Sequence, residues 1–232
     1  MARVLGLKQL VSKKYTFLKN LPVKIVHSFG MLTDNFNMIV WGMSGNGKSS
    51  FMMEFILSLM PFGKVLYLGL EEGFEASMQF NVLRKLNLDE HSGKIQFADH
   101  EMTYDQLIIK LKKKKSPRFI VIDSVQYWNI SYEQYKKLKE MFPGKSFIYV
   151  SHANGKIPDG KTADKIRYDA PVKVRVEGYV GFVICRFGGN NPFVIWEEGA
   201  KKYWGKQYKK MITTPPKEVF AEEEEQPLMQ VV

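Results

Sequence analysis

The sequence predicts an α/β fold in which a mostly parallel sheet is flanked by helices and extended by C-terminal antiparallel strands. Three observations carry that expectation. Apolar runs of strand length alternate with segments of helical period from Met38 to Ser151, the pattern of βα units building a parallel sheet. Two of those runs, Phe119-Ile-Val-Ile122 and Phe147-Ile-Tyr-Val150, carry no charge, as strands covered on both faces do. Beyond His152 the runs shorten and are separated by Gly178 and Gly188-Gly-Asn-Asn-Pro192, which reads as an antiparallel meander.

The elements follow in order. Met38–Trp41 reads as a strand, the glycine-containing octet Gly42–Ser49 as a loop, and Phe51–Met60 as a helix closed by Pro61 and Gly63. Lys64–Leu68 is the second strand, running into Gly69-Leu-Glu-Glu-Gly73. Phe74–Leu88 has helical spacing, with Met78, Val82, Leu83 and Leu86 on one side. A short strand at Ile95–Phe97, a helix over Tyr104–Lys113, a strand at Arg118–Asp123, a helix over Tyr132–Met141 and a strand at Ser146–Ser151 complete the alternation. Ala153–Tyr168 is polar and basic, lacks a period, and reads as a loop. Val172–Val176, Gly181–Arg186 and Phe193–Trp196 read as the closing strands. The expected organisation is an N-terminal segment 1–24, one α/β domain over 25–212, and a disordered acidic tail over 213–232.

Length and composition narrow the function classes. The chain has 232 residues, 45% of them hydrophobic, ample for a buried core. No apolar stretch approaches the roughly 20 residues needed to cross a bilayer. Lys8, Lys13, Lys14 and Lys19 interrupt the N-terminal apolar residues, so neither a membrane span nor a signal peptide is expected and a cytoplasmic location follows. A single cysteine, Cys185, excludes a disulfide framework and a cysteine-based zinc site. The net charge is +10, and Glu222–Glu225 stand beyond the last lysine. Set apart, they leave 34 basic against 20 acidic residues, a net +14 that suits a polyanionic partner. His27, His91 and His100 have no ligand spacing.

Gly42-Met-Ser-Gly-Asn-Gly-Lys-Ser49 fits the phosphate-binding P-loop pattern and sits between an expected strand and an expected helix. The glycines allow consecutive N–H groups to turn inward on phosphate oxygens, beside the positive end of the following helix. Gly42, Met43, Ser44, Gly45, Asn46, Gly47, Lys48, Ser49 and Ser50 are therefore the expected nucleotide-binding residues. Lys48 supplies charge to the β and γ oxygens, and the Ser49 hydroxyl suits Mg²⁺. Asp123, ending an apolar strand, is the expected second metal-side residue. Glu71 and Glu72, just past the second strand, are candidates to orient or deprotonate water for attack on the γ-phosphate of ATP.

These residues resemble the RecA-fold ATPases, in particular the RadA/Sms and DnaB-helicase branch. Tyr67-Leu-Gly-Leu-Glu-Glu-Gly73 looks like that branch's catalytic glutamate segment, with Glu71 in the catalytic position. Ile122-Asp-Ser-Val-Gln126 resembles its Walker B stretch, and Ser151-His152 the strand end that carries a γ-phosphate sensor. Ala153-Asn-Gly-Lys156 follows as the family's DNA-binding loop begins, and Arg186-Phe-Gly188 is similar to its closing motif. The chain departs at Ile184, where the family carries a lysine. The resemblance spans about residues 25–205 and implies a RecA-like fold, ATP and Mg²⁺ as ligands, and a homo-oligomeric ring or filament. In that assembly His152 is the sensor and Arg186 an arginine finger reaching a neighbour's phosphate.

Lys156, Lys161, Lys165 and Arg167 are the expected DNA contacts, cations on a flexible loop beside the sensor. The functional expectation is a DNA-dependent ATPase of recombination, repair or replication, stimulated by single-stranded DNA. The alternative is a nucleotide-dependent switch or helicase-loading partner whose basic surface meets a protein. A small-molecule kinase would want an arginine-rich lid, whereas Arg167 is the lone arginine between residues 127 and 170.

Overall fold

The structure is a computed structural model and describes residues 4–216. Its strands are β1 (Asn37–Trp41), β2 (Val65–Gly69), β3 (Ile95–Ala98), β4 (Phe119–Asp123), β5 (Ser146–Ser151), β6 (Ala153–Asn154), β7 (Ile157–Pro158), β8 (Val172–Glu177), β9 (Val180–Cys185) and β10 (Phe193–Val194). The helices are α1 (Leu7–Val11), α2 (Val23–Phe29), α3 (Lys48–Leu59), α4 (Ala76–Leu83), α5 (Leu88–His91), α6 (Tyr104–Lys112), α7 (Val125–Trp128), α8 (Tyr132–Met141), α9 (Lys161–Asp169), α10 (Glu197–Trp204) and α11 (Tyr208–Thr213). Eight strands form one sheet in the order β10-β9-β8-β1-β5-β4-β2-β3. From β8 to β3 all pairings are parallel, while β9 and β10 join antiparallel. The fold is the expected one.

Strand alternation divides the core between two faces. Met38 and Val40, Val65 and Tyr67, Phe119 and Val121, and Ile148 and Val150 point toward α2 and α3. Ile39 and Trp41, Leu66 and Leu68, Ile120 and Ile122, and Phe147 and Tyr149 point toward α6, α8 and α9. Helix α3 buries Phe51, Met52, Met53, Phe55, Ile56 and Leu59, and each such side chain stabilises by about 1.5–3 kcal/mol. Phe29 and Phe55 pack with ring centroids 5.0 Å apart. Leu18 and Leu21, ahead of α2, also belong to this cluster. No helix among the described residues is long and apolar enough to cross a membrane.

Two stretches differ from the sequence expectation. The helix expected over 74–88 is α4 alone, and Leu83 faces solvent. Asn87 breaks the continuation: its side chain accepts from the Asp89 amide at 2.9 Å and caps α5 instead. The stretch 153–168, expected as a loop, is a β6–β7 hairpin followed by α9. Helix α9 turns only Ala163 and Ile166 inward, too few apolar positions to register as a period. Polar ties hold it: the Tyr135 hydroxyl and the Lys139 ammonium both donate to Asp169 Oδ2.

At the C-terminal side, Trp204 Nε1 donates to the Gly178 carbonyl at 3.1 Å and stands edge-on to Phe182, so Tyr203 and Trp204 cover the meander. Of the acidic tail expected over 213–232, Thr213 closes α11, and the part beyond Pro216, including Glu222–Glu225, lies outside the described residues.

Candidate nucleotide site

Parallel pairing brings four functional strand ends to one edge of the sheet, the edge where ligands gather in open α/β folds. Trp41 pairs with Ser151, Val150 with Asp123, and Asp123 with Gly69, so the four ends lie level within one residue. The loop after β1, Glu71 and Glu72 after β2, Asp123 on β4 and His152 after β5 therefore line one cavity of about 270 Å³, together with Ser49, Ser50, Met78, Asn81 and Tyr179.

The loop needs its glycines for specific reasons. A Cβ on Gly42 would stand 2.2 Å from the Val176 carbonyl oxygen, because β8 runs hard against the loop. Gly47 adopts φ +99° at the start of α3, a conformation that side-chain-bearing residues avoid. Lys48 folds across the loop, its ammonium donating to the Gly42 carbonyl at 2.8 Å and the Met43 carbonyl at 3.1 Å. Burial pulls the Lys48 pKa down, against the opposing pull of Asp123 and Glu71. Asn46 ties the loop to the β8–β9 turn: its Oδ1 accepts from the Gly178 amide at 2.7 Å and its carbonyl from the Tyr179 amide at 3.1 Å. Tyr179 then walls the cavity, edge-on to Trp196 with centroids 5.0 Å apart.

On the opposite wall, His152 Nε2 meets Glu71 Oε2 at 3.0 Å. Gln126 buttresses the strand end, donating from Nε2 to the Ser151 hydroxyl at 2.8 Å and to the Asp159 carbonyl at 2.7 Å. Asp123 sits at the floor, where burial pushes its carboxyl up to about 6. A hydrogen bond from Tyr67 pulls the other way, the Glu71 charge adds to the rise and the Lys48 charge opposes it.

The donor set fits Mg²⁺ with a nucleotide. Ser49 and Asp123 offer one hydroxyl and one carboxylate, hard oxygens of the kind this ion takes beside phosphate and water ligands. Among the described residues no group of three or more His, Cys, Asp or Glu forms a self-sufficient metal cage, and an ion shared with phosphates needs none.

The remaining predicted residues lie elsewhere. Arg186 follows β9 at the far edge of the sheet, its amide donating to the Pro171 carbonyl at 3.0 Å. Val172 pairs with Cys185 and with Met38, so Arg186 is level with the start of β1, about 15 Å along the strands from the loop at its end. It does not reach this chain's own cavity. The carbonyl of Lys156 holds the Trp41 indole N–H at 2.9 Å, fixing the β6–β7 turn above β1. Lys161, Lys165 and Arg167 ride on α9; Lys165 covers the Tyr132 ring at 5.6 Å and Arg167 pairs with Asp164 at 2.8 Å.

Sequence reading missed Tyr67, Gln126 and Tyr179. Tyr67 and Gln126 stand at the ends of the quoted motifs without a role assigned to them, and the aromatic residue after Gly178 at an expected turn is a weak signal.

No protein-family model and no curated protein matches the chain. Among solved structures it is similar to a KaiC-like protein of the hyperthermophilic archaeon Pyrococcus horikoshii, at 18% identity and TM-score 0.51, covering 70% of this chain and 81% of that one. That likeness, with the sheet order, shows a RecA-like α/β fold.

Proposed function

We propose that the protein binds ATP with Mg²⁺ and hydrolyses it. The observation that carries this reading is the convergence of Lys48, Ser49, Glu71, Asp123 and His152 on one cavity built from four parallel strand ends. Backbone N–H groups of Gly42–Ser49 and the Lys48 ammonium hold the β- and γ-phosphates, while Ser49 and Asp123 hold the metal that neutralises them. Lys48 must leave the carbonyls of Gly42 and Met43 to do so. Glu71 orients a water in line with the γ-phosphorus and takes its proton as the new P–O bond forms and the bond to the bridging oxygen breaks, giving ADP and phosphate. His152, paired with Glu71, holds that carboxylate in place and senses the γ-phosphate. Tyr179 offers a ring to the nucleotide base.

The polyanion served is single-stranded DNA, in recombination, repair or replication. Support comes from the net +14 of residues 1–221 and from the link between nucleotide site and basic segment: the Asp159 amide donates to the His152 carbonyl at 2.9 Å, one turn before α9. Arg186, remote from its own cavity, suits a ring or filament in which it serves the next subunit's phosphate. The competing reading, a nucleotide-dependent switch or helicase-loading partner, draws on the Glu71–His152 pair, which already occupies the catalytic carboxylate.

Steady-state ATP hydrolysis with and without single-stranded DNA separates them. The motor reading expects stimulation by DNA and a loss of about 10²–10⁴-fold in kcat for Glu71→Gln. Turnover indifferent to DNA favours the switch, and a Glu71→Gln enzyme of full activity removes the catalytic role.

A further inference from the structure

Tyr67 stands in the middle of β2, fully buried on the α3 face. Its ring packs beside Phe97 with centroids 5.8 Å apart, and a phenylalanine would fill the same space. The hydroxyl therefore has a separate reason to be there, since burying one without a partner costs about 1–3 kcal/mol. Its partner is Asp123, to whose Oδ2 it donates.

Register explains the reach. Tyr67 pairs with Val121 and Gly69 with Asp123, so Tyr67, Gly69 and Asp123 point to one face of two neighbouring strands. Gly69 brings no side chain to the diagonal between the other two. A Cβ there would approach the Met78 methyl to 3.0 Å, which keeps that gap open.

We propose that Tyr67 is a positioning residue for the cation site: its hydroxyl holds Asp123 Oδ2, so that Oδ1 alone is offered to the metal. The inference rests on the metal role given to Asp123 above. A carboxylate with one oxygen committed presents the other in a fixed direction and in monodentate form. That suits Mg²⁺, which demands near-octahedral geometry and keeps several of its waters. Removing the hydroxyl leaves the carboxylate free to rotate about its last bond. Groups that orient metal ligands in this way contribute about 10–100-fold to metal affinity.

Fluorescence binding of a slowly hydrolysed ATP analogue, in EDTA and across a Mg²⁺ titration, tests this with wild type, Tyr67→Phe and Asp123→Asn. The Tyr67→Phe protein is expected to need about tenfold more Mg²⁺ at the midpoint, with its affinity in EDTA unchanged. A midpoint equal to wild type, while Asp123→Asn still raises it, overturns the role of Tyr67 and leaves that of Asp123 standing. Equal weakening of Tyr67→Phe in EDTA and in Mg²⁺ marks the hydroxyl as structural and also overturns the inference. Wild-type binding that ignores Mg²⁺, with Asp123→Asn no different, removes the metal role and the inference together.

Discussion

Helices α3 and α9 pack on opposite faces of the sheet and both begin at a glycine of positive φ, Gly47 and Gly160, yet they are fastened by different physics. Helix α3 is twelve residues with seven buried, four of them large aliphatic or aromatic side chains and the others two methionines and a serine. Helix α9 is nine residues with only Ala163 and Ile166 buried, and charged ties to its neighbours make up the rest. The glycine loop Gly42–Ser49 is thus anchored by burial, which salt and pH barely touch, whereas the helix after His152 is anchored by electrostatics, which both weaken. The loop that lines the cavity is set on an element fixed by burial, and the segment after His152 on one fixed by charge.

Predictions that break or sharpen this contrast run from the largest effect to the smallest. Lys48→Ala, at the first residue of α3, is expected to lower kcat for ATP hydrolysis by about 10²–10³-fold while leaving the denaturation midpoint unchanged, since the ammonium's hydrogen bonds go to loop carbonyls. A parallel loss of stability would mean that the lysine holds the loop rather than the nucleotide. Phe55→Ala, on the buried face of α3, is expected to cost about 3–5 kcal/mol in urea unfolding, with equal cost at low and high salt. Asp169→Asn, at the last residue of α9, is expected to cost about 1–2 kcal/mol, reduced by its partial exposure.

The pH dependence of that last variant has a definite sign. Burial pushes the Asp169 carboxyl up, but hydrogen bonds from Lys139 and Tyr135 outweigh it and hold the group below its ordinary value. Its contribution is present above about pH 4 and is lost as the pH falls through the lowered value. Wild type and Asp169→Asn should therefore differ at pH 7 and converge in strong acid. Lys165→Ala removes a cation lying 5.6 Å over the Tyr132 ring. It is expected to cost about 0.5 kcal/mol, with a shallower salt dependence of DNA binding as the informative readout.

The same contrast explains what the sequence makes legible. The strands and the glycine loop are readable because their signals are local: continuous apolar runs, and closely spaced glycines between a strand and a helix. That Asp123 and Glu71 come to one cavity is readable because parallel strands deliver their ends to one edge. Helix α9 is not, because two inward residues give no period and its fastening partners, Tyr135 and Lys139, belong to another helix. The Tyr67–Asp123 bond depends on the register between β2 and β4, and the tie from Asn46 to Gly178 spans 132 residues. Neither is a pattern along the chain. The 74–88 stretch misleads for the opposite reason: its apolar spacing is genuine, but a capping side chain at Asn87 overrides it.

Cys185 offers a practical return. It is the chain's only cysteine, it is 4% exposed at the end of β9, and burial pushes its thiol up to about 11. The thiolate that reacts with alkylating dyes is therefore scarce at neutral pH. A single cysteine introduced at an exposed position such as Lys161 would be labelled selectively in the otherwise native chain. A fluorophore there would report movement of the basic helix in real time as nucleotide enters, without first building a cysteine-free background.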